Sequence, residues 1–269
     1  MRYDPIKKSI GQIVNNSTFL RKIFYSLLDI LLLRAWHIRK EINKFKNNVS
    51  GTINILDAGS GFGQYSYYLS KQCHQWQISG IDIKQEQIDD CNNFFEKINR
   101  NNQVKFEYAD LTKYSKENTY NLILSVDVME HIEDDIKVFE NFYYSLKKNG
   151  ILLISTPSDI GGSDVHDEHE HTFIDEHVRD GYNVNDITNK LEKAGFKNIS
   201  AKYSYGKPGN ISWKISMKYP ITMLNISKLF FIILPLYYII TLPIFLVLNL
   251  LDLNKTHTEG TGLIVKAKK

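Results

Sequence analysis

Apolar residues along the middle of the chain alternate between short unbroken runs and helically spaced sets. Ile53-Asn-Ile-Leu56 predicts a strand ending at Asp57, followed by a helix from Phe62 to Gln72. The same reading gives a strand over Gln77–Asp82, a helix over Lys84–Lys97, and strands over Val104–Tyr108 and Tyr120–Val126. A helix then covers Asp134–Lys148, with Ile136, Val138, Phe139 and Phe142 as its apolar positions. A strand over Ile151–Ser155, a helix over Val184–Ala194 and strands over Lys197–Tyr203 and Gly262–Ala267 complete the series. Strands alternating with helices predict an α/β, doubly wound, mostly parallel sheet with helices on both faces. No internal repeat is evident.

Two apolar stretches stand outside this alternation. Ile23–Leu33 lies in an N-terminal helical segment (residues 1–50) and is flanked by Arg21, Lys22, Arg34, Arg39 and Lys40, a pattern suited to an anionic lipid surface. The stretch Asn43–Gly51 reads as a linker. Leu229 to Leu251 contains no charged residue, and as one helix would extend about 35 Å, enough to cross a ~30 Å bilayer core. Pro235 and Pro243 predict breaks into pieces of about six to eight residues. The stretch also falls between two strands expected to share one sheet, so it must return to the side it left. The expectation is a membrane-associating insertion over 207–257, kinked and shallow or re-entrant, with Lys214, Lys218 and Lys228 toward head groups. A soluble helical cap over an apolar pocket and an oligomer interface are the alternatives.

The 269 residues carry 33 Lys+Arg against 30 Asp+Glu, a balance too even for a nucleic-acid binder, and no Asn/Asp-Pro-Pro-Tyr/Phe stretch follows the fourth strand. Cys73 and Cys91 cannot frame a disulfide scaffold, and no apolar h-region directly follows Met1–Lys8, so a cytoplasmic location is expected.

The chemistry gathers at strand ends. The first strand runs through Asp57-Ala-Gly59-Ser60-Gly61-Phe-Gly63, a loop whose glycines let a ligand approach the backbone at the carboxyl edge of the sheet. Asp82 ends the second strand and suits ribose hydroxyls; Asp110 ends the third; Ser125-Val-Asp127 ends the fourth. Each carboxylate alone would pass for a cap or turn residue. Four polar groups on one rim form a binding edge.

Leu56–Gly63, Gly80-Ile-Asp-Ile83, Ala109-Asp110, Asp127-Val-Met-Glu-His131 and Gly150–Pro157 together resemble the class I S-adenosylmethionine-dependent methyltransferases, nearest to the ubiquinone-type O-methyltransferases. The resemblance covers roughly 50–205 plus the last strand. It implies a Rossmann-like, seven-stranded sheet with an antiparallel final strand, in a methyltransferase domain spanning 51–269. It also implies S-adenosylmethionine as cofactor. Asp57 and Gly59 would face its methionine end beside Ser60, Gly61 and Gly63; Asp82 with Ile83 would take the ribose, and Asp110 with Leu111 the adenine, with Ser125 lining the same site. In that group the Glu-x-x-Glu-His stretch is associated with a divalent metal. Here Asp127 replaces the first glutamate and shortens its reach, so a metal on Asp127, Glu130 and His131 is not expected.

Methyl transfer to oxygen or nitrogen also needs a proton removed. His131 is one candidate base. His171 is the other, in Asp164–His171, continuing to His177, where four of the eight histidines (His166, His169, His171, His177) lie close together. His166, Asp167 and His169 have metal-ligand chemistry, and a solvated polar loop is the plain alternative. The leading expectation is O-methylation of a hydrophobic or lipid-linked small molecule at the cytoplasmic membrane surface. A soluble sugar or metabolite acceptor, with the apolar insert as dimer interface, is the second. A non-catalytic cofactor-binding regulator or membrane adaptor is the third.

Overall fold

The computed structural model describes residues 17–161 and 178–269. Seven strands form one sheet: β1 (Ile53–Ala58), β2 (Trp76–Asp82), β3 (Val104–Tyr108), β4 (Tyr120–Val126), β5 (Leu146–Pro157), β6 (Lys197–Ser204) and β7 (Gly262–Lys268), in the order β3-β2-β1-β4-β5-β7-β6. β1 to β5 are parallel, and β7 runs antiparallel between β5 and β6. The sequence-predicted fold class is the one present.

Helices cover both faces, because the central strands are apolar on both sides. On one face lie α1 (Thr18–Leu31), α2 (Leu33–Lys46), α3 (Gln64–Ser70) and α4 (Gln85–Lys97). Their Tyr25, Ile38, Ile42, Phe45, Phe94 and Phe95 share one core with Ile55 and Ile78 of the sheet. On the other face α5 (Asp135–Ser145) and α6 (Val184–Lys193) bury Val138, Phe139, Phe142, Ile187 and Leu191. The carboxylate of Asp134 caps α5 by accepting from the Lys137 amide at 3.2 Å.

Three local expectations change. The helix predicted to Lys148 ends at Ser145, because Leu146 pairs with Tyr120 and opens β5 early. The stretch expected as a linker begins inside α2, whose last turn buries Phe45 against Trp76. The N-terminal apolar run is two helices, separated at Leu32, whose backbone is extended.

α1 is inside out. It buries Arg21, Tyr25 and Asp29 while Phe19, Ile23, Leu27 and Ile30, spaced at three and four, face outward. Its buried polar groups are satisfied. Arg21 donates to the Tyr25 hydroxyl (2.7 Å) and the Phe62 carbonyl (2.9 Å), and Asp29 pairs with Arg39 and accepts from Gln64 Nε2 at 2.9 Å.

The insertion between β6 and β7 is a helical hairpin. The outgoing limb is α7 (Lys207–Trp213), a π turn over Lys214–Lys218 and α8 (Tyr219–Ile226); the returning limb is α9 (Phe230–Asn254). The predicted breaks at Pro235 and Pro243 are absent, and both prolines lie inside α9. Each proline removes only one rung of the ladder. Between them, Tyr237 donates to the Ile215 carbonyl (2.7 Å) and Tyr238 to that of Ser216 (2.8 Å), tying the returning limb to the outgoing one.

At the hairpin base the fully buried Asp252 gathers four partners. His37 Nε2 of α2 and His257 Nε2 lie 3.0 Å from its two oxygens, and the amides of Tyr205 (3.3 Å) and Gly209 (3.1 Å) donate to it. One carboxylate thus fastens α2, α7, α9 and the approach to β7.

Candidate active site

Strand register sets the rim. Asp57 of β1 lies beside Gly80 of β2 and Leu124 of β4, Ala58 beside Ser125, and Asp82 beside Tyr108. The carboxyl ends of four adjacent strands therefore bring Asp57, Asp82, Asp110 and Ser125 to one edge, as the sequence reading requires.

Asp57 is buried and accepts from Ser66 Oγ at 2.6 Å; burial pushes its carboxyl up to about 6 despite that bond. Gly59 sits at φ +75°, where a Cβ would lie 2.3 Å from a methyl of Val128. Only glycine fits between the loop and the turn that follows β4. Gly61 differs: at φ +51°, a notional Cβ would meet only Gln87 Oε1, at 3.8 Å, an ordinary contact. The amides of Gly59 and Ser60 both donate to the Ile81 carbonyl at 2.9 Å, and that of Gly61 donates to Asp82 Oδ2 at 2.9 Å. These loop donors are thus directed into the protein, and Asp82, which also accepts from the Lys84 amide at 3.0 Å, braces the loop.

Ser60 Oγ and Ser125 Oγ are buried and find no hydrogen-bond partner among the described residues. Beyond Asp82, Ile83 is 61% exposed, an apolar lip where an aromatic base could rest. Asp110 accepts from Thr112 Oγ1 (2.7 Å) and the Thr112 amide (2.9 Å), which hold its carboxyl below the usual range; Leu111 beside it is buried. Unpaired hydroxyls, buried and half-buried acids and an apolar lip along one edge fit a nucleoside carrying an amino acid.

The turn after β4 forms the other side. Asp127 adopts φ +52°, rare for a residue with a side chain, and pairs with Arg34 of α2 at 2.6 Å. Glu130 is buried and accepts from Thr156 Oγ1 at 3.0 Å; burial, then the nearby Asp127, push its carboxyl up to about 8. Asp127 thus engages α2 while Glu130 engages β5, and no metal-holding cluster with His131 forms among the described residues. His131 is partly exposed in a single turn over Met129–His131. Tyr182 steadies that turn by donating to the Met129 carbonyl (3.1 Å) and to Asp135 (2.7 Å), which also pairs with Arg179 and Lys190. His171, with His166, Asp167, His169 and His177, lies outside the described residues.

Sequence reasoning missed Arg34, Tyr65 and Tyr205. The Arg34 amide donates to the Tyr205 hydroxyl at 3.0 Å, and burial raises both tyrosine hydroxyls beside the Arg34–Asp127 pair. They come from three distant segments, so no spacing signals their meeting.

A family model described as a methyltransferase domain matches residues 19–201. The chain is 32% identical over 149 residues to phosphoethanolamine N-methyltransferase 1 of Triticum aestivum, covering 55% of this chain and 29% of that one. It is 32% identical over 133 residues to the ubiquinone biosynthesis O-methyltransferase of Rickettsia typhi, covering 47% and 51%. It therefore spans about a third to a half of the length of these relatives. Among solved structures, phosphoethanolamine N-methyltransferase 2 of Haemonchus contortus with S-adenosyl-L-methionine superposes with a TM-score of 0.61. That match is 18% identical and covers 87% of this chain and 52% of that one, a likeness of fold.

Proposed function

The chain belongs to the methyltransferase-domain family, and on that premise we propose that it moves a methyl group from S-adenosylmethionine to a hydroxyl. The acceptor is a hydrophobic or lipid-linked small molecule at the cytoplasmic membrane surface. The observation that carries the methyl-donor reading is the rim itself: Asp57, Asp82 and Asp110 at or just beyond the carboxyl ends of three neighbouring strands, with the buried hydroxyls of Ser60 and Ser125 unpaired among the described residues. An amine acceptor is the second reading, favoured by the name of the wheat relative.

When bound, the cofactor supplies a methyl group already activated on a sulfonium. The chain's own work is alignment and proton handling. Asp82 accepts from the ribose, Ile83 and Leu111 flank the base, Asp110 takes its amino group, and Asp57 faces the ammonium. That ammonium would draw the Asp57 carboxyl back down from about 6 and fix it as the anion. His131 receives the acceptor proton. Glu130, protonated under its burial, lends the site no second negative charge. The outward apolar faces of α1 and α9 support a membrane-surface acceptor.

The test is transfer of labelled methyl to a membrane extract, followed by solvent partition. Label in the organic phase, lost in His131→Ala while S-adenosylhomocysteine affinity is kept, is the expected result. Label confined to water-soluble products would refute the hydrophobic acceptor. No binding of S-adenosylhomocysteine by folded protein would refute the activity.

A further inference from the structure

α9 is apolar around most of its girth yet buries little more than Phe245, Asn249 and Asp252. Helices apolar all round are found inside large proteins or in lipid. Its exposed residues include Phe231, Ile232, Leu236, Ile239, Val247 and Leu251, so the arc is unbroken from tip to base. On the same side, at the base, a shallow, mainly apolar hollow of about 520 Å³ is lined by Pro208, Val247, Leu250 and Leu251, with Asn254 and Lys255 at its edge. Five hydroxyls bond within the hairpin: Tyr237 and Tyr238 as above, Thr241 to the Tyr237 carbonyl (2.9 Å), Thr222 to that of Lys218 (2.9 Å), and Ser212 to Asn249 (2.6 Å), while the buried Asn249 Nδ2 finds no partner among the described residues. Internal satisfaction of polar groups is what hydrocarbon demands. The outgoing limb carries Lys207, Lys214 and Lys218, whose spacing places them along one stripe.

Three orientations are open to such a hairpin. The pairing of β6 with β7 forbids a single crossing, since both limbs return to one sheet. A hairpin spanning both leaflets would bring Lys214 and Lys218 to the bilayer interior, which is costly. Insertion of the tip alone would leave Val247, Leu250 and Leu251 in water and Lys228 in hydrocarbon. An in-plane placement accounts for the whole exposed arc and keeps Lys214, Lys218 and Lys228 out of the bilayer interior.

We propose that residues 207–254 form a monotopic anchor lying along an anionic bilayer surface. The outer face of α9 sinks among the acyl chains, and Lys207, Lys214, Lys218 and the turn residue Lys228 meet head groups. The last turn of α1 touches the outgoing limb, where Ser216 Oγ donates to the Leu31 carbonyl at 3.4 Å. The inference rests on the membrane-surface reading above and adds the element responsible and its orientation.

The test uses the full chain with vesicles of phosphatidylcholine, with and without phosphatidylglycerol. Wild type is expected to sediment with the anionic vesicles. Ile232→Glu with Ile239→Glu should weaken that binding at least ~10-fold while S-adenosylhomocysteine binding, the control for folding, is kept. Spin labels on Ile232→Cys, Ile239→Cys and Leu250→Cys should report one common depth. Depth graded from Ile232 to Leu250 would overturn the in-plane anchor. So would a solution dimer that shields all three labels and ignores vesicles. Vesicle binding that survives the double glutamate variant but falls with Ile23→Glu and Leu27→Glu would sink the hairpin and leave the membrane-surface reading standing; no vesicle binding by wild type would sink both.

Discussion

Replacing Gly59 with alanine sets the glycine loop against the turn that carries His131. The new methyl would sit 2.3 Å and 2.8 Å from the two γ-carbons of Val128 and 3.1 Å from its Cβ. Overpacking of that kind costs about 1–3 kcal/mol. A side chain at φ +75° adds ~1–2 kcal/mol. Gly59→Ala should therefore destabilise by about 2–5 kcal/mol, and because Val128 adjoins the Met129–His131 turn, kcat should fall as well. Val128→Ala removes the two nearest atoms and leaves only the 3.1 Å contact. In that background Gly59→Ala should cost only ~1–2 kcal/mol, so the double-mutant cycle should return a coupling of about 1–3 kcal/mol. Urea unfolding of the four proteins, followed by circular dichroism, gives the cycle. Additivity within ~0.5 kcal/mol would refute the reasoning, because it would mean that loop and turn do not press on each other.

Asp82→Ala removes both the ribose acceptor and the brace on Gly61, and should weaken S-adenosylhomocysteine about 10- to 100-fold by calorimetry; unchanged affinity would remove Asp82 from the site. Glu130 holds its proton in the folded protein, its carboxyl raised from 4.5 to about 8, so its stabilising contribution is complete below about pH 4.5 and is lost as pH rises through about 8. Glu130→Gln should flatten that decline in urea midpoints, and parallel profiles for wild type and variant would contradict it. Asp252→Ala leaves His37, His257 and two amides without their acceptor at the hairpin base and should lower stability by ~2–4 kcal/mol in thermal or urea unfolding.

The parallel strands were legible because each is a short run, mostly apolar or, as in Val104–Tyr108, alternating, and the acids followed because each stands at or just beyond the end of one. What stayed hidden depends on the third dimension. β5 begins at Leu146 only because Tyr120 waits beside it. α9 stays whole through two prolines because Tyr237 and Tyr238 find carbonyls on another helix. The charges flanking the N-terminal apolar run suggested a lipid-facing helix, but the run gave no sign that Arg21 and Asp29 would face the protein. Glycine spacing located the loop, yet not that its amides would turn toward Ile81 and Asp82. Arg34, Tyr65 and Tyr205 meet through topology alone.

Ser204 stands directly opposite Gly262 in neighbouring antiparallel strands, so a tight turn would suffice to join them. The whole hairpin occupies that corner. Closure entropy grows only logarithmically, by ~0.6 kcal/mol for each doubling of the excursion. Chain length at this corner is thus nearly without topological consequence: a relative bearing a short bend there would keep the same seven strands in the same order. Such a corner is a place where attachment can be gained, exchanged or discarded while the chemistry beside β1 is inherited unchanged.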